Sequence, residues 1–500
     1  MENSTQSLYA WVAIVCLLYV VYRRTDPLRL IPAIGHSAPL LSYVGAYQYF
    51  RNARVMLQEG YEKYKGSTFK IPLLDQWVVV VNGTKMNEEL RKVPDDQMSF
   101  LGAAEELAQT KYTIAPLLVA HPIHITVIRG PLTRNLASLL PNVVDEIDFA
   151  FKQLIPVQGD EWLSVPALPI MREIVSRASN RIFVGLPICR DPEYIKTAID
   201  FTIDVMKGRT ILSIIPRTLK PLVGRFLPWP RRAFDRISVP LKPVVEERLR
   251  RLNEHGKDWP DKPNDMLMWL IEEARNVGQS LDLVVQSVLS SNFVSTHTST
   301  ISITHALYHL AANPQYLQPL RDEIESIIKE DGWSKLAIGK MWKLDSFMKE
   351  SQRLNGISGI SVIRKAMKDV TLSDGTFIPA GTIVAAAAVP CHHDEENYVN
   401  ANAFDPFRFS DKRMDENERI KHQYVSTSPE YIAFGHGKHA CPGRFFAANE
   451  LKAVLAHIVI KYDVKFEGEG GRPDNMWLGT SVLPQPSAKV MFRKRQTEKS

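Results

Sequence analysis

Cysteine is scarce and unpaired in this chain: Cys16, Cys189, Cys391 and Cys441 are scattered through 500 residues. That spacing excludes a disulfide framework and suits a reducing compartment. No internal repeat, low-complexity tract or Gly/Ser linker divides the interior, which leaves one large domain. Clustered arginine is missing too, and the net charge of +6 is spread along the chain, so nucleic acid is not implied. Mild basicity suits an anionic membrane surface or an acidic protein partner. What remains is ordinary globular composition, 45% apolar and 23% charged.

The first seven residues lack positive charge and include Glu2, whereas Arg23 and Arg24 follow the uncharged run at residues 8–22 (LYAWVAIVCLLYVVY). The run falls a little short of the roughly 20 residues that span a bilayer, a gap that the polar residues before it or local thinning can close. A cleaved signal peptide is the rival reading. It needs its positive charge before the apolar run, and the observed order instead places the following domain on the cytosolic side of an uncleaved anchor. The sequence thus divides into an anchor over residues 1–24, a stiff connector over 25–41 punctuated by Pro27, Pro32 and Pro39, and a domain over 42–500.

Within that domain, residues 68–83 (TFKIPLLDQWVVVVNG) read as a hairpin, and most of the chain from there to about residue 350 has helical spacing. Residues 201–232 mix apolar side chains with Arg209, Arg217, Lys220, Arg225, Arg231 and Arg232 around four prolines. They suit either a surface loop or an apolar, base-flanked lobe that dips into a membrane. Residues 281–314 form the longest helix candidate and are apolar nearly all round, so they should be buried, with hydroxyls crowded between Ser295 and Thr300. Glu350 and Arg353 share a helix face. Residues 361–389 read as short strands around a turn at Asp374-Gly375.

The stretch FGHGKHACPGR, residues 434–444, places Cys441 before Pro442 and a long amphipathic run. Pro442 suits a first helical position, which would set Cys441 at the N-cap among free backbone N–H groups that favour thiolate. Glycines at 435 and 437 permit a tight turn and the close approach of a flat ligand.

This loop resembles the heme-binding loop of the cytochrome P-450 family, matched at Phe434, Gly437, Cys441 and Gly443, with His439 where arginine is commoner. The resemblance runs from about residue 40 to the C-terminus, with its motifs in the family's order. It implies a mainly α fold with small β-sheets (α+β), preceded here by the single transmembrane helix, around one heme b. Cys441 would be the axial ligand of the heme iron. Arg364 would meet one propionate, and His124, Arg129 and Arg134 are open alternatives for the other. Thr298 matches the threonine of the groove over the heme, and His297 stands at the acid position, where a neutral imidazole can still relay protons. Glu350, Arg353 and Arg408 would form a buried charged network with a structural role. By position, the substrate pocket would include Phe100, Tyr112, Phe293, Val294, Ile357, Ser361, Val362 and Thr480, with Ser358 and Ser481 able to orient a polar group.

The activity implied is heme-thiolate monooxygenation with O2. No segment resembles a flavin or nicotinamide site, so electrons would come from NADPH through a separate flavoprotein reductase, with cytochrome b5 as a further candidate donor. Lys438, His436 and Arg444 would contribute to its docking face. His-Thr at 297–298 resembles fungal members that act on terpenoids and steroids, at the endoplasmic reticulum membrane with the catalytic domain cytosolic. Fatty acid or aromatic oxidation is one alternative, and a heme-thiolate isomerase or dehydratase that needs no reductase is another.

Overall fold

A computed structural model of the chain describes Trp11 and residues 26–38, 41–256, 259–468 and 470–496. Helices of eight residues or more are α1 (Leu41–Lys63), α2 (Thr84–Lys92), α3 (Phe100–Ala108), α4 (Leu136–Leu154), α5 (Ala167–Phe183), α6 (Pro192–Ser213), α7 (Trp229–His255), α8 (Met266–Asn276), α9 (Leu281–Ala312), α10 (Leu317–Asp331), α11 (Trp342–Leu354) and α12 (Arg444–Lys461). The strands are β1 (Thr68–Pro72), β2 (Trp77–Val81), β3 (Met98–Ser99), β4 (Leu163–Pro166), β5 (Ile360–Ala366), β6 (Val370–Thr371), β7 (Phe377–Ile378), β8 (Ile383–Ala387), β9 (Tyr462–Lys465), β10 (Met476–Leu478), β11 (Ser481–Leu483) and β12 (Lys489–Lys494). The expected mainly helical architecture with small sheets is what is observed.

The axis of the fold is α9, 32 residues long. Asp282 lies in its first turn, where a carboxylate complements the helix dipole, and Asn313-Pro314 ends it because proline offers no N–H to continue. Its apolar residues face all directions because α5, α6, α7, α8, α11 and α12 pack around it. The largest sheet has the order β1-β2-β8-β5-β3. The β1–β2 hairpin is antiparallel in the register Thr68↔Val81, as the two β-branched runs indicate. The strands of residues 361–389 also form, with Gly375 at φ 84° in the turn where a left-handed backbone suits glycine.

Three expectations change. The stiff connector is more than a link, because its residues 26–38 dock on the domain: Ala33 bridges Lys70 of β1, Ile31 and Ile34 are buried, and Lys70 Nζ donates to the Leu28 carbonyl at 2.6 Å. Apolar side chains between the prolines give this segment a sheet to pack against. The lobe at residues 201–232 is mostly helix, namely the end of α6, a short helix at Lys220–Arg225 and the start of α7. One of its cations, Lys220, is buried and meets Asp75 at 2.7 Å, while Arg217 stays exposed and reaches Glu106 at 2.7 Å. Finally, α12 starts at Arg444 with Gly443 as its N-cap, so Cys441 lies in the turn before the helix rather than at its cap, and Pro442 is not the first helical residue. Among the described residues no helix is long and apolar enough to cross a membrane. The anchor expected at residues 8–22 lies outside the described residues, Trp11 excepted.

Candidate active site

The cysteine loop is clamped at both ends. Cys441 N–H donates to the Phe434 carbonyl at 2.7 Å, and the Arg444 guanidinium donates to the Cys441 carbonyl at 2.9 Å. Gly437 sits at φ 72°, and a Cβ there would lie 2.3 Å from Cγ of Arg91, so the close approach of α2 demands glycine. Burial pushes the Cys441 thiol up, while the N–H groups of Gly443 and Arg444 and the Arg444 charge pull the other way. Burial prevails, so the favoured thiolate expected from the loop's donors does not follow from the protein alone.

The loop's other polar side chains turn to α2 and the segment after it. His436 Nε2 contacts Glu88 at 3.2 Å, and Asp95 takes both Lys438 at 3.0 Å and His439 at 2.5 Å. The His439 ring also stacks on Phe100, centroids 5.6 Å apart. His436 and Lys438 therefore do not present a bare cationic face, because Glu88 on α2 and Asp95 just beyond its end partner them.

Arg364 projects from β5 just beyond a bulge, where the register with β8 shifts between Ser361 and Arg364 and Val362 adopts φ 49°. A β-branched residue in the left-handed region is strained, and bulges re-aim side chains. Arg364 is 1% exposed; its guanidinium gives Nη1 to the Ile363 carbonyl and leaves Nε and Nη2 without an acceptor. Burial lowers its pKa to about 10. His124 is held neutral by burial, its pKa lowered to about 4, and its Nδ1 also lacks a partner. Orphaned buried donors of this kind are rare unless a ligand completes them, and these fit the carboxylates of a porphyrin. Arg129 reaches the loop through the Lys438 carbonyl at 3.3 Å.

On α9, Thr298 Oγ1 donates to the Val294 carbonyl at 2.7 Å, the back-bonding typical of a mid-helix hydroxyl. Burial, then the charges of Arg172 and Arg209, lower the His297 pKa to about 4, so its ring is neutral at physiological pH. The network at Glu350 is complete: Arg353 donates Nε and Nη2 at 2.8 and 2.7 Å, and Arg408 donates Nε at 3.1 Å.

A cavity of about 720 Å³ opens beside α9, lined by Thr296, His297, Thr300 and Ile301 and by residues of α1, α3, α5, α6 and the segment 478–486. Thr480 and Ser481 line it. Phe100 stacks on His439, Tyr112 packs against Gly224, and Phe293 joins the main core. Val294 is exposed, Val362 is buried in a separate core cluster, and Ser361 Oγ donates to the Ile432 carbonyl at 2.7 Å. The Ile357 carbonyl accepts from Val482 N–H at 3.1 Å, tying it to β11. Arg172 on α5, the lining position of Arg209, and the pairing of Asp95 had no sequence signal, since each is an ordinary charge in a run of helix or turn that belongs to no motif.

The cytochrome P450 family pattern matches residues 32–492. The chain is 61% identical to cytochrome P450 monooxygenase 151 of Postia placenta, over 98% of each protein. It is 40% identical to cytochrome P450 monooxygenase CYP512U6 of Ganoderma lucidum, over 99% of this chain and 97% of the relative. Retinoic acid bound cyanobacterial CYP120A1, 18% identical, has the same fold, with a TM-score of 0.71 over 93% of this chain and 99% of that one. The chain belongs to the cytochrome P450 family and is a cytochrome P450 monooxygenase.

Proposed function

We propose that this monooxygenase oxidises a bulky, sparsely oxygenated substrate, a terpenoid or steroid in fungal secondary metabolism. The observation that carries the reading is the cavity. Its volume of about 720 Å³ falls in the roughly 300–1,000 Å³ range of small-molecule sites, and its wall is chiefly apolar, with Leu168, Ile199, Met206 and Ile301 among the lining residues. Such a wall favours a rigid hydrocarbon skeleton that buries much apolar area at little conformational cost.

Cys441 would hold the heme iron through its sulfur, with Phe434 and Gly443 shaping the loop around it. Arg364 and His124 would offer their unpartnered nitrogens to the propionates, with Arg129 nearby. When bound, the heme supplies the activation of O2 that inserts one oxygen into the substrate. The chain's own part is to orient the substrate, exclude water and move protons. Thr298 Oγ1 donates to its own helix, so its lone pairs are left to accept from a water. His297, neutral beside it, can take a proton at one ring nitrogen as the other releases one.

Electrons would come from NADPH-cytochrome P450 reductase, with cytochrome b5 as a second donor, at the endoplasmic reticulum membrane. Exposed Tyr43, Val44 and Tyr47 on α1 and Leu219, Leu222 and Phe226 between α6 and α7 support a lipid-facing surface. Phe50, itself exposed, lines the cavity, so the mouth opens towards that surface. The test is a Soret titration of the heme-loaded protein with sesqui-, di- and triterpenoids, a sterol, a fatty acid and a small aromatic, followed by turnover with reductase. A saturable spin-state shift and NADPH-dependent product with one terpenoid class are expected. Response to the fatty acid or aromatic alone would overturn the substrate class.

A further inference from the structure

Two cations in the substrate cavity have no direct ion-pair partner among the described residues. Arg172 of α5 and Arg209 of α6 both line the cavity, as does His297 of α9. Neither guanidinium has a hydrogen-bond or ion-pair partner among the described residues. The acids at the same wall are already taken. Asp75 pairs with Lys220 at 2.7 Å, and Glu106 pairs with Arg217 and Lys365, each at 2.7 Å. His297 cannot serve as a counter-ion because a neutral imidazole carries no negative charge.

Both arginines are half-buried, and burial lowers the pKa of each, with Asp75 opposing this at Arg209. A wholly apolar ligand would displace the water these groups need and leave two desolvated charges unpaired, which is strongly unfavourable. A ligand with an anionic oxygen pair removes that cost and gains charge-assisted hydrogen bonds, for which the planar guanidinium fork is well shaped.

We infer that the substrate is a carboxylic acid on a bulky apolar skeleton, its carboxylate held by Arg172 and Arg209. This rests on the terpenoid or steroid reading of the same cavity and narrows it to terpenoid or steroid acids. The shared chemistry, an apolar carboxylate, could also come from a fatty acid, so the test carries both.

The experiment uses the full-length, heme-loaded protein and four probes: lithocholic acid, its methyl ester, the corresponding primary alcohol, and palmitic acid. Soret shifts give each dissociation constant, and reductase with NADPH gives product. The acid is expected to bind about tenfold to hundredfold more tightly than its ester and alcohol, the span of a charged hydrogen bond. R172Q and R209Q should each cut that preference about tenfold, and Arg→Lys at either position should restore part of it. The carbon monoxide complex of each variant checks that the thiolate-ligated heme is intact. Equal binding of acid and ester, or a preference that survives in the R172Q/R209Q double variant, overturns the carboxylate site. Tighter binding of palmitic than of lithocholic acid upholds the carboxylate and overturns the polycyclic skeleton. The two readings fail separately. Acid preference without NADPH-dependent product would uphold the carboxylate site and count against a terpenoid or steroid as the oxidised substrate, and product from the neutral probes without acid preference would do the reverse.

Discussion

Replacing Glu350 with alanine should strip the domain of much of its stability without touching the chemistry. The carboxylate takes a two-pronged contact from Arg353 at 2.8 and 2.7 Å, Arg408 Nε at 3.1 Å and the Asp405 N–H at 3.2 Å. Glu350 and Arg353 are fully buried and Arg408 is 9% exposed. Breaking a buried pair by removing one partner costs about 3–5 kcal/mol. Here one carboxylate serves two guanidiniums, which points to the upper end, against a total of about 5–15 kcal/mol for a folded domain. At roughly 2 cal/mol/K of unfolding entropy per residue, a domain of this size shifts by about 1 °C per kcal/mol, so Tm should fall by about 3–5 °C at fixed scan rate. Heme content per chain should fall with it. Arg353 and Arg408 also donate to the carbonyls of His392, Ala401 and Val399, so deleting all three charges is not free. The triple variant E350A/R353M/R408M should nonetheless cost about 1–3 kcal/mol less than the sum of its singles, since no charge is stranded. A Glu350→Ala protein as stable and heme-replete as the parent, or strictly additive costs, would refute the reasoning.

Arg364→Met should release heme to apomyoglobin about tenfold to hundredfold faster, the worth of a charge-assisted hydrogen bond to a propionate; an unchanged release rate would show that the Arg364 nitrogens do not meet the cofactor. Glu450 on α12 is buried, accepts from Ser179 Oγ at 2.7 Å, and has its pKa raised by burial to about 8. Its folded state therefore favours the neutral acid, and its contribution to stability declines as pH rises from about 4.5, the unfolded value, to about 8. Glu450→Gln keeps the acceptor for Ser179, so the Tm of the variant relative to the parent should climb between pH 5 and pH 8, by an amount equivalent to a few kcal/mol at most; parallel profiles would count against it. Gly437→Ala should destabilise the cysteine loop by about 1–3 kcal/mol through its backbone at φ 72° and its clash with Arg91, read as a blue-shifted carbon monoxide band on mild heating at which the parent is unaffected.

Elements with strong local periodicity were legible in the sequence: the β1–β2 hairpin, the buried α9 and the strands around Gly375 all form where residue pattern places them. The Glu350 trio was legible because each member sits in a recognisable motif. What the sequence could not show is which way a charge turns once chains meet. His439 and Lys438 both find Asp95, some 340 positions away, and His436 finds Glu88, so the loop's apparent basicity is spent within the fold. The start of α12 moved for a local reason: with the Cys441 carbonyl held by Arg444, Pro442 and Gly443 form a turn and the helix begins after them. The pocket residues inferred by position scattered because they lie on separate elements, among them α3, α9 and β5, whose side chains take their direction from tertiary packing. Of that group Thr480 reaches the cavity, while Ser361 and Phe100 are engaged towards the cysteine loop.

The arginines of the core sort by how far the protein itself satisfies them, and that order separates architecture from recognition. Arg353 spends its donors on Glu350 and on backbone carbonyls, so its charge belongs to the fold and no ligand is needed to account for it. Arg364 is met by one carbonyl and leaves two buried nitrogen positions open, beside a bulge whose strained Val362 holds it in place. Arg172 and Arg209 are met by nothing among the described residues and face a shared cavity. A buried donor without an acceptor costs free energy in every folded molecule, so it persists where a bound partner repays it in function. The same substitution, Arg→Met, should then act on different observables along this series: protein stability at Arg353, cofactor retention at Arg364, and discrimination between an acid and its ester at Arg172 and Arg209.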